Sequence, residues 1–146
     1  MGVSQRPEKE RYYLDIAKSV SARSTCLRRQ YGAVIVQNDE IVATGYNGAP
    51  RGETNCCDAG ECYRQRIGIP HGEQYEKCVA VHAEQNAIIS ASRREMLGAT
   101  LYLYGHDCVT DAELEAEPCL LCRRMIKNAG ISKVVNINGE VLLFAE

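Results

Sequence analysis

The sequence predicts an α/β domain in three layers, with helices packed on both faces of a mixed, five-stranded sheet. Three observations predict this class. A helical pattern near the N-terminus is followed by two strand-like runs joined by a polar turn, which indicates a hairpin. Helical and strand-like segments then alternate, as they do in α/β domains. The 146 residues, 45% of them hydrophobic, can bury one core, and we expect residues 1–146 to form a single domain.

The first half of the chain is predicted from spacing and turn residues. Apolar residues at helical intervals indicate an amphipathic N-terminal helix. Two β-branched runs flank a polar turn, and the stretch after them is rich in Gly, Asn and Pro, which is typical of a loop. The predicted segments are a helix at Glu8–Arg23, strands at Gly32–Val36 and Ile41–Thr44, a loop at Gly45–Gly60 and a short helix at Glu61–Ile67.

The second half repeats a helix and strand alternation. Ala83, Ala87, Ile88 and Ala91 on one face predict a long helix. A proline followed by an apolar face predicts another. Between them lies a strand and a polar insert that carries five acidic residues. The predicted segments are a helix at His82–Arg94, a strand at Thr100–Tyr104, the insert at Gly105–Glu117, a helix at Cys119–Ala129, and strands at Lys133–Ile137 and Val141–Phe144.

Composition excludes several classes of protein. The 17 basic and 19 acidic residues give a net charge of -2, whereas binding driven by nucleic-acid phosphates requires a basic surface. No apolar run approaches the roughly 18–20 residues of a membrane helix. The first eleven residues are polar and do not resemble a signal peptide. We therefore expect a cytoplasmic protein without a nucleic-acid or membrane partner.

The eight cysteines indicate metal binding or catalysis, because disulfides are rare in a reducing cytoplasm. An isolated cysteine such as Cys108 is more often a small buried hydrophobic residue. The Cys119–Cys122 pair is different, since two thiols three residues apart on a helix can face one point. That spacing is compatible with a redox pair, half of a structural zinc site, or part of a catalytic zinc site.

Three features fall at predicted element ends: His82-Ala83-Glu84, Pro118-Cys119-Leu120-Leu121-Cys122 and Gly45-Tyr46-Asn47-Gly48. One imidazole and two thiolates make three zinc ligands and leave a fourth position for water. A redox pair would leave His82 and Glu84 without a role, and a structural zinc would require a fourth protein ligand. The H-x-E and P-C-x-x-C arrangement is the signature of zinc nucleobase deaminases.

Glu84 suits the role of proton acceptor in such a site. Two thiolates offset the zinc charge, so the metal alone acidifies water less than it would with three imidazoles. A proton acceptor beside the water is then needed, and Glu84 lies two residues from a ligand. A glutamate in a first helical turn can also serve only the helix dipole.

At this point a family resemblance becomes specific. The runs 23–36, 43–52 and 81–88, which include GYNGAP and HAEQNAI, resemble deoxycytidylate (dCMP) deaminases. The similarity extends roughly from Arg11 to Val135 and is close to the bacterial and archaeal branch that includes the competence-operon protein. The resemblance implies a cytidine-deaminase-like fold and hydrolysis of dCMP to dUMP and ammonia, a step that feeds thymidylate synthesis.

The resemblance also implies roles for individual residues. Zinc would be held by His82, Cys119 and Cys122, while Glu84 would move a proton from the attacking water to N3 of cytosine and then to the leaving amine. Ala83 would bind the pyrimidine carbonyl through its backbone N–H, and Asn47 would contact the sugar. Arg28 is the candidate for the 5′-phosphate, because a guanidinium matches phosphate in bidentate geometry.

Partners and alternatives follow from the same resemblance. Family members are oligomeric, activated by dCTP and inhibited by dTTP, so we expect a homo-oligomer with these effectors. The insert Gly105–Glu117 is longer and more acidic than in most relatives, and it could repel phosphate or lie at a subunit contact. The alternatives are a deaminase for another cytosine nucleoside or nucleotide, one for a tRNA adenosine, and a non-catalytic zinc-binding competence or assembly factor.

A second, structural zinc is the last expectation. Five cysteines and one histidine stand apart from the catalytic set, in segments with little regular structure that a metal could tie together. Some family members carry a second zinc in this region. The alternative is a group of buried thiols without metal. We expect four ligands drawn mainly from Cys26, Cys57, Cys62, His71 and Cys78, with Cys56 as the remaining cysteine of the group.

Overall fold

The computed structural model describes residues 5–55 and 80–144, together with Cys57, Gly60 and Gly68. The predicted helix at Glu61–Ile67 lies outside these residues. The described elements are α1 (Lys9–Ser21), β1 (Arg29–Gln37), β2 (Glu40–Tyr46), α2 (Ala83–Ile89), α3 (Arg93–Met96), β3 (Thr100–Asp107), β4 (Glu113–Leu114), α4 (Leu120–Asn128), β5 (Lys133–Asn136) and β6 (Gly139–Leu143).

The strands form one mixed sheet in the order β2-β1-β3-β5-β6. β1 is antiparallel to both β2 and β3, β3 is parallel to β5, and β6 returns antiparallel to β5. The predicted β1–β2 hairpin is present, and its turn residues Asn38 and Asp39 have φ angles of 52° and 63°. Two such residues in succession are typical of the tight hairpin turns that match strand twist. The predicted five-stranded sheet is therefore confirmed, with β4 added beside β3.

Alternation along the strands separates two apolar layers, which confirms the three-layer prediction. One face packs against α1 and the other against α2 and α4, because successive strand residues point to opposite sides. The α1 face includes Val34, Val36, Tyr102 and Tyr104, and the opposite face includes Ala33, Ile35, Leu101 and Leu103.

Two glycines let the helices lie directly on the sheet. A Cβ at Gly32 would collide with the carbonyl oxygen of Ala17 in α1. A Cβ at Gly45 would collide with the carbonyl oxygen of Ala83 and the backbone nitrogen of Ala87 in α2. The absence of these side chains places the start of α2 over the end of β2, where the candidate site lies.

The predicted helix at His82–Arg94 is wrong in its second half. α2 ends at Ile89, and three residues separate it from α3, whose N-cap is Ser92. The Ser92 Oγ accepts from the Glu95 N–H at 3.3 Å, and the Glu95 Oε1 accepts from the Ser92 N–H at 2.8 Å. This reciprocal capping satisfies donors at the start of a new helix, so the chain turns there.

The polar insert is structured rather than a simple loop. β3 continues past the predicted end at Tyr104 as far as Asp107, whose Oδ1 accepts from the N–H groups of Val109 and Thr110 at 2.8 and 3.0 Å. The chain then returns as β4, and the Tyr104 hydroxyl donates to Glu113 at 2.7 Å. An acidic turn thus extends β3 beyond its apolar segment. Among the described helices, none has the length and apolar character to cross a bilayer.

Candidate active site

Three metal-binding side chains meet where α2 and α4 begin. The His82 Nδ1 lies 3.3 Å from the Cys122 Sγ and 3.8 Å from the Cys119 Sγ. All three ligand atoms lie within 4.8 Å of one another. A tetrahedral zinc with ordinary Zn–N and Zn–S bonds separates nitrogen and sulfur ligands by about 3.5 Å. The three residues therefore fit a zinc ion and leave one position of a tetrahedron for a fourth ligand.

The starts of the two helices hold these ligands in place. His82 precedes α2 in extended conformation, and its backbone N–H donates to the Gln85 Oε1 at 2.9 Å. Cys119 is the N-cap of α4, and its Sγ accepts from the Cys122 N–H at 3.5 Å. A thiolate at this end of α4 is stabilised by the unpaired N–H groups of the first helical turn.

Glu84 is a buried carboxyl directly beside this cluster, with only 6% of its surface exposed. Burial raises the pKa of the Glu84 carboxyl, because the charged form is poorly solvated there. Burial also raises the pKa of the Cys122 thiol, and the neighbouring Glu84 carboxylate raises it further. A carboxyl whose pKa is shifted upward can take up and release a proton nearer neutral pH than an exposed one.

Ala83 and the loop after β2 complete the surroundings. Ala83 is the first residue of α2, where backbone N–H groups have no acceptor within the helix. Gly48 exchanges two hydrogen bonds with Val81, the residue before His82, at 3.1 and 2.7 Å. The structure thus brings the Gly45–Gly48 loop next to the metal ligands, so all three motifs converge.

Both ends of the Asn47 side-chain amide are hydrogen-bonded to the backbone of β1. Its Oδ1 accepts from the Tyr31 N–H at 2.8 Å, and its Nδ2 donates to the Arg29 carbonyl oxygen at 2.9 Å. Asn47 is 7% exposed. Each end of the amide retains capacity for a second hydrogen bond, so a sugar contact stays a prediction.

Arg28 lies half-buried just before β1, with its backbone held in place. Its N–H donates to the Cys26 Sγ at 3.4 Å, and its carbonyl oxygen accepts from the Cys108 N–H at 2.9 Å. The structure places Arg28 at the sheet end where the Asn47 loop also lies. Its contact with a phosphate stays a prediction.

Only part of the expected second metal site can be located. Cys62, His71 and Cys78 lie outside the described residues. The Cys57 N–H donates to the Thr25 carbonyl oxygen at 3.1 Å, which places Cys57 next to the segment that carries Cys26.

Cys108 belongs to the same neighbourhood, although the sequence favoured an isolated buried thiol. Its Sγ is 3.8 Å from the Cys26 carbonyl oxygen. The pairing of Arg29 with Asp107 explains this contact, because Cys26 precedes β1 and Cys108 follows β3. Had the sequence analysis predicted that β1 and β3 pair antiparallel, it would also have predicted that Cys26 and Cys108 lie close together.

Comparisons with known proteins agree with this geometry. A family model described as the cytidine and deoxycytidylate deaminase zinc-binding region matches residues 7–138. A deoxycytidylate deaminase of Mycobacterium phage D29 is 38% identical over 135 residues, covering 89% of this chain and 94% of the phage protein. A deoxycytidylate deaminase of Schizosaccharomyces pombe is 38% identical over 130 residues, covering 89% of this chain. This chain spans 37% of the length of that yeast protein.

A solved structure is also similar. The dCMP deaminase of cyanophage S-TIM5, determined in complex with dCMP and dUMP, superposes with a TM-score of 0.61 at 30% identity. The match covers 91% of this chain and 83% of the cyanophage chain. The similarity therefore extends over nearly the whole fold, and the range 7–138 matched by the family model includes both helices that carry the candidate ligands.

Proposed function

The chain belongs to the cytidine and deoxycytidylate deaminase family, and from this premise we propose that it hydrolyses dCMP to dUMP and ammonia with zinc as cofactor. The observation that carries the proposal is a buried carboxyl, Glu84, beside a His-Cys-Cys cluster. A structural zinc site has no use for a buried acid with an upward-shifted pKa. The phage D29 relative of matching length is named for this activity, and the S-TIM5 structure contains its substrate and product.

His82, Cys119 and Cys122 would hold the zinc. Bound there, the metal would supply a water molecule that is nucleophilic near neutral pH. The charge of two thiolates is tolerated at this position because the N-terminus of α4 faces the Cys119 sulfur.

Glu84 would manage the protons of the reaction. Its carboxylate would accept a proton from the attacking water and deliver it to N3 of the cytosine. It would then accept the proton of the new C4 hydroxyl, which becomes the uracil carbonyl, and deliver it to the 4-amino group, which leaves as ammonia. The balance is dCMP plus water giving dUMP plus ammonia. Burial, which raises the pKa of Glu84, supports this exchange because the protonated and ionised forms are then closer in free energy.

Substrate contacts would come from the converging ends of β1, β2 and α2. The Ala83 N–H would bind the pyrimidine carbonyl, and Asn47 would contact the deoxyribose. Arg28 would bind the 5′-phosphate and thereby distinguish dCMP from deoxycytidine. The support for this arrangement is the bridge between Gly48 and Val81, which places the loop of Asn47 against the start of α2.

Assembly and regulation are proposed on surface features. We infer a homo-oligomer, because Ile89 at the end of α2 and Leu120 and Leu121 at the start of α4 are 70, 67 and 61% exposed, and exposed apolar side chains can be buried by association. We propose that dCTP and dTTP bind in a cavity of about 210 Å³ on the Gly48 loop, which has Arg23 and Arg51 in its wall.

We also infer a single deaminase domain over residues 1–146 that works in the cytoplasm.

A second, structural zinc forms part of the proposal. The ligands would be drawn from Cys26, Cys57, Cys62, His71 and Cys78. The hydrogen bond from Cys57 to Thr25 supports it, because it brings two of these cysteines to one end of the sheet. The position of Cys108 beside Cys26 adds a thiol to the same neighbourhood.

The experiment that tests the proposed function is ammonia release across a substrate panel. The purified protein, with its zinc content measured, is assayed with dCMP, CMP, dCTP, deoxycytidine and cytosine. We expect dCMP to be the best substrate. Preference for CMP or for a free nucleoside would assign the chemistry to a different substrate, and no turnover of any member by zinc-loaded protein would contradict the proposal.

A further inference from the structure

Asn86 lies in the middle of α2, and its side chain leaves the helix to reach the end of β2. Its Nδ2 donates to the Tyr46 carbonyl oxygen at 2.8 Å, across forty positions of sequence. Asparagine is a weak helix former because its amide competes for backbone hydrogen bonds. Its presence inside a seven-residue helix is explained by this tertiary bond.

The bond lies within a close contact between α2 and the loop. Gly45 allows the backbone of α2 to lie directly on β2, and Gly48 pairs with Val81 just before α2 begins. The Asn86 side chain is the polar link between these two backbone contacts. It therefore fixes the loop at the point where it leaves the strand.

The carbonyl that Asn86 binds belongs to the peptide group that joins Tyr46 to Asn47. The side-chain amide of Asn47 is hydrogen-bonded to the backbone of β1. The peptide group that precedes Asn47 is hydrogen-bonded to Asn86 on α2. Asn47 is therefore held from two sides. Glu84 lies on α2 two residues before Asn86. One helix thus carries both the candidate proton carrier and the anchor of the loop.

We propose that Asn86 is a positioning residue that fixes the Gly45–Gly48 loop relative to α2. It does not touch the reacting atoms. By holding the Tyr46–Asn47 peptide, it keeps the sugar-binding side chain at a fixed distance from Glu84 and the Ala83 N–H. This inference rests on the proposed function, since it takes Asn47 as a substrate contact.

Two variants test the inference in kinetics. Asn86→Ala removes the donor, and Asn86→Asp keeps the size but faces the Tyr46 carbonyl with an acceptor. Loss of one such hydrogen bond corresponds to roughly a three- to tenfold change in binding. We expect KM for dCMP to rise by about that factor in Asn86→Ala and by more in Asn86→Asp, while zinc content stays unchanged and kcat falls less than KM rises.

Hydrogen exchange supplies a readout that does not depend on activity. In Asn86→Ala, the amides of Asn47 and Gly48, which donate to Tyr31 and Val81, should exchange faster, while the β1–β3 amides keep their protection. Alanine is the better helix former, so α2 itself is not weakened by the change. Asn128→Ala, an exposed position at the end of α4, is the matched control and should change neither KM nor exchange.

The outcomes separate the inference from the proposed function. Wild-type KM and wild-type loop exchange in both Asn86 variants would overturn it, as would a loss of protection spread evenly over the sheet. If the unaltered protein released no ammonia from any cytosine substrate, the proposed function would fail. The exchange of Asn47 and Gly48 would still decide whether Asn86 holds the loop.

Discussion

The two side chains predicted to contact the substrate, those of Asn47 and Arg28, differ in how firmly the surrounding backbone holds them. Asn47 is nearly fully buried and has both ends of its amide on β1. Arg28 is half-buried, and it is the backbone of Arg28 that the neighbouring Cys26 and Cys108 hold. A fixed backbone with a long side chain suits a residue that reaches for a phosphate at the edge of a site.

Replacement of Arg28 should therefore act on one part of the substrate only. We expect Arg28→Ala to weaken kcat/KM for dCMP by about ten- to a hundredfold, the equivalent of a charge-assisted hydrogen bond. Activity on deoxycytidine, which has no phosphate, should hardly change. Steady-state kinetics on both substrates is the measurement, with Arg124→Ala, an exposed arginine on α4, as the control. Equal losses on the two substrates would contradict the phosphate role.

Short-range spacing was enough to predict the residues of the metal cluster and Glu84. His82 and Glu84 are two residues apart, and Cys119 and Cys122 are three apart, so local spacing was enough to group the residues within each motif. The bonds of Asn47 to β1 and the contact of Cys108 with Cys26 could not, because they depend on which strands pair and in what register. Such partners are distant in sequence and leave no local pattern.

At the scale of elements, α1 is attached to the hairpin turn through Asp39. Lys9 and Tyr13 donate to its carboxylate at 2.7 and 2.5 Å. The Lys9 bond, followed by the Tyr13 bond, holds the pKa of Asp39 below its usual value. The same bond to Asp39 raises the pKa of Tyr13 to about 12. The charged aspartate and the neutral tyrosine are therefore both favoured by folding.

This attachment predicts how stability depends on pH. A carboxyl whose pKa is lowered by folding stabilises the folded state at pH values above the ordinary carboxyl pKa of 3.8. That stabilisation is lost as the pH falls through the lower pKa of the folded state. A tyrosine with a raised pKa stabilises it below 10.0, and that stability is lost as the pH rises toward about 12.

Asp39→Asn should remove part of both dependences. We expect a lower Tm than the unaltered protein at neutral pH and a smaller further drop in acid, measured by thermal unfolding across pH. Asp15→Asn breaks only an exposed ion pair with Arg11 on the surface of α1 and is the control, because such pairs contribute little. A Tm profile for Asp39→Asn that matches the unaltered protein would refute the role of this contact.

The elements themselves were predictable where periodicity was strong. α1, the β1–β2 hairpin, α4 and the final two strands lie close to their predicted positions. The break after α2 was missed because apolar spacing continues through it, although the sequence Ser92-Arg93-Arg94-Glu95 is itself a capping-box pattern. The hairpin in the acidic insert was missed because its strands are polar and β4 has only two residues.

At the scale of the whole molecule, the number of bound zinc ions tests the proposed second metal, which would tie the segment between β2 and α2 to the start of β1. We expect two zinc ions per chain by elemental analysis of the purified protein. Cys119→Ala should lose the catalytic zinc and activity, whereas Cys62→Ser should lose the other zinc and lower the Tm with the catalytic zinc retained. A single zinc that disappears in Cys119→Ala would exclude the second site.

The family and the three-layer fold were both predicted from the sequence, because the motifs occur at the element ends that the fold brings together. The family match over residues 7–138 and the mixed sheet confirm them. In the proposal, substrate choice depends on side chains such as Asn47 and Arg28, which approach the site from the loop after β2 and from the segment before β1. Neither the motifs nor the order of the strands specifies those groups, so dCMP preference is a proposal.

The most direct test of the central claim compares the unaltered protein with Glu84→Gln, each shown to bind the same amount of zinc. The substitution keeps the size of the side chain and removes its capacity to accept a proton. Ammonia release from dCMP should fall at least about 10²-fold, the scale of a positioned acid–base group, with the fold intact by circular dichroism. Near-normal turnover by zinc-loaded Glu84→Gln would contradict the assignment of Glu84 and the catalytic mechanism built on it.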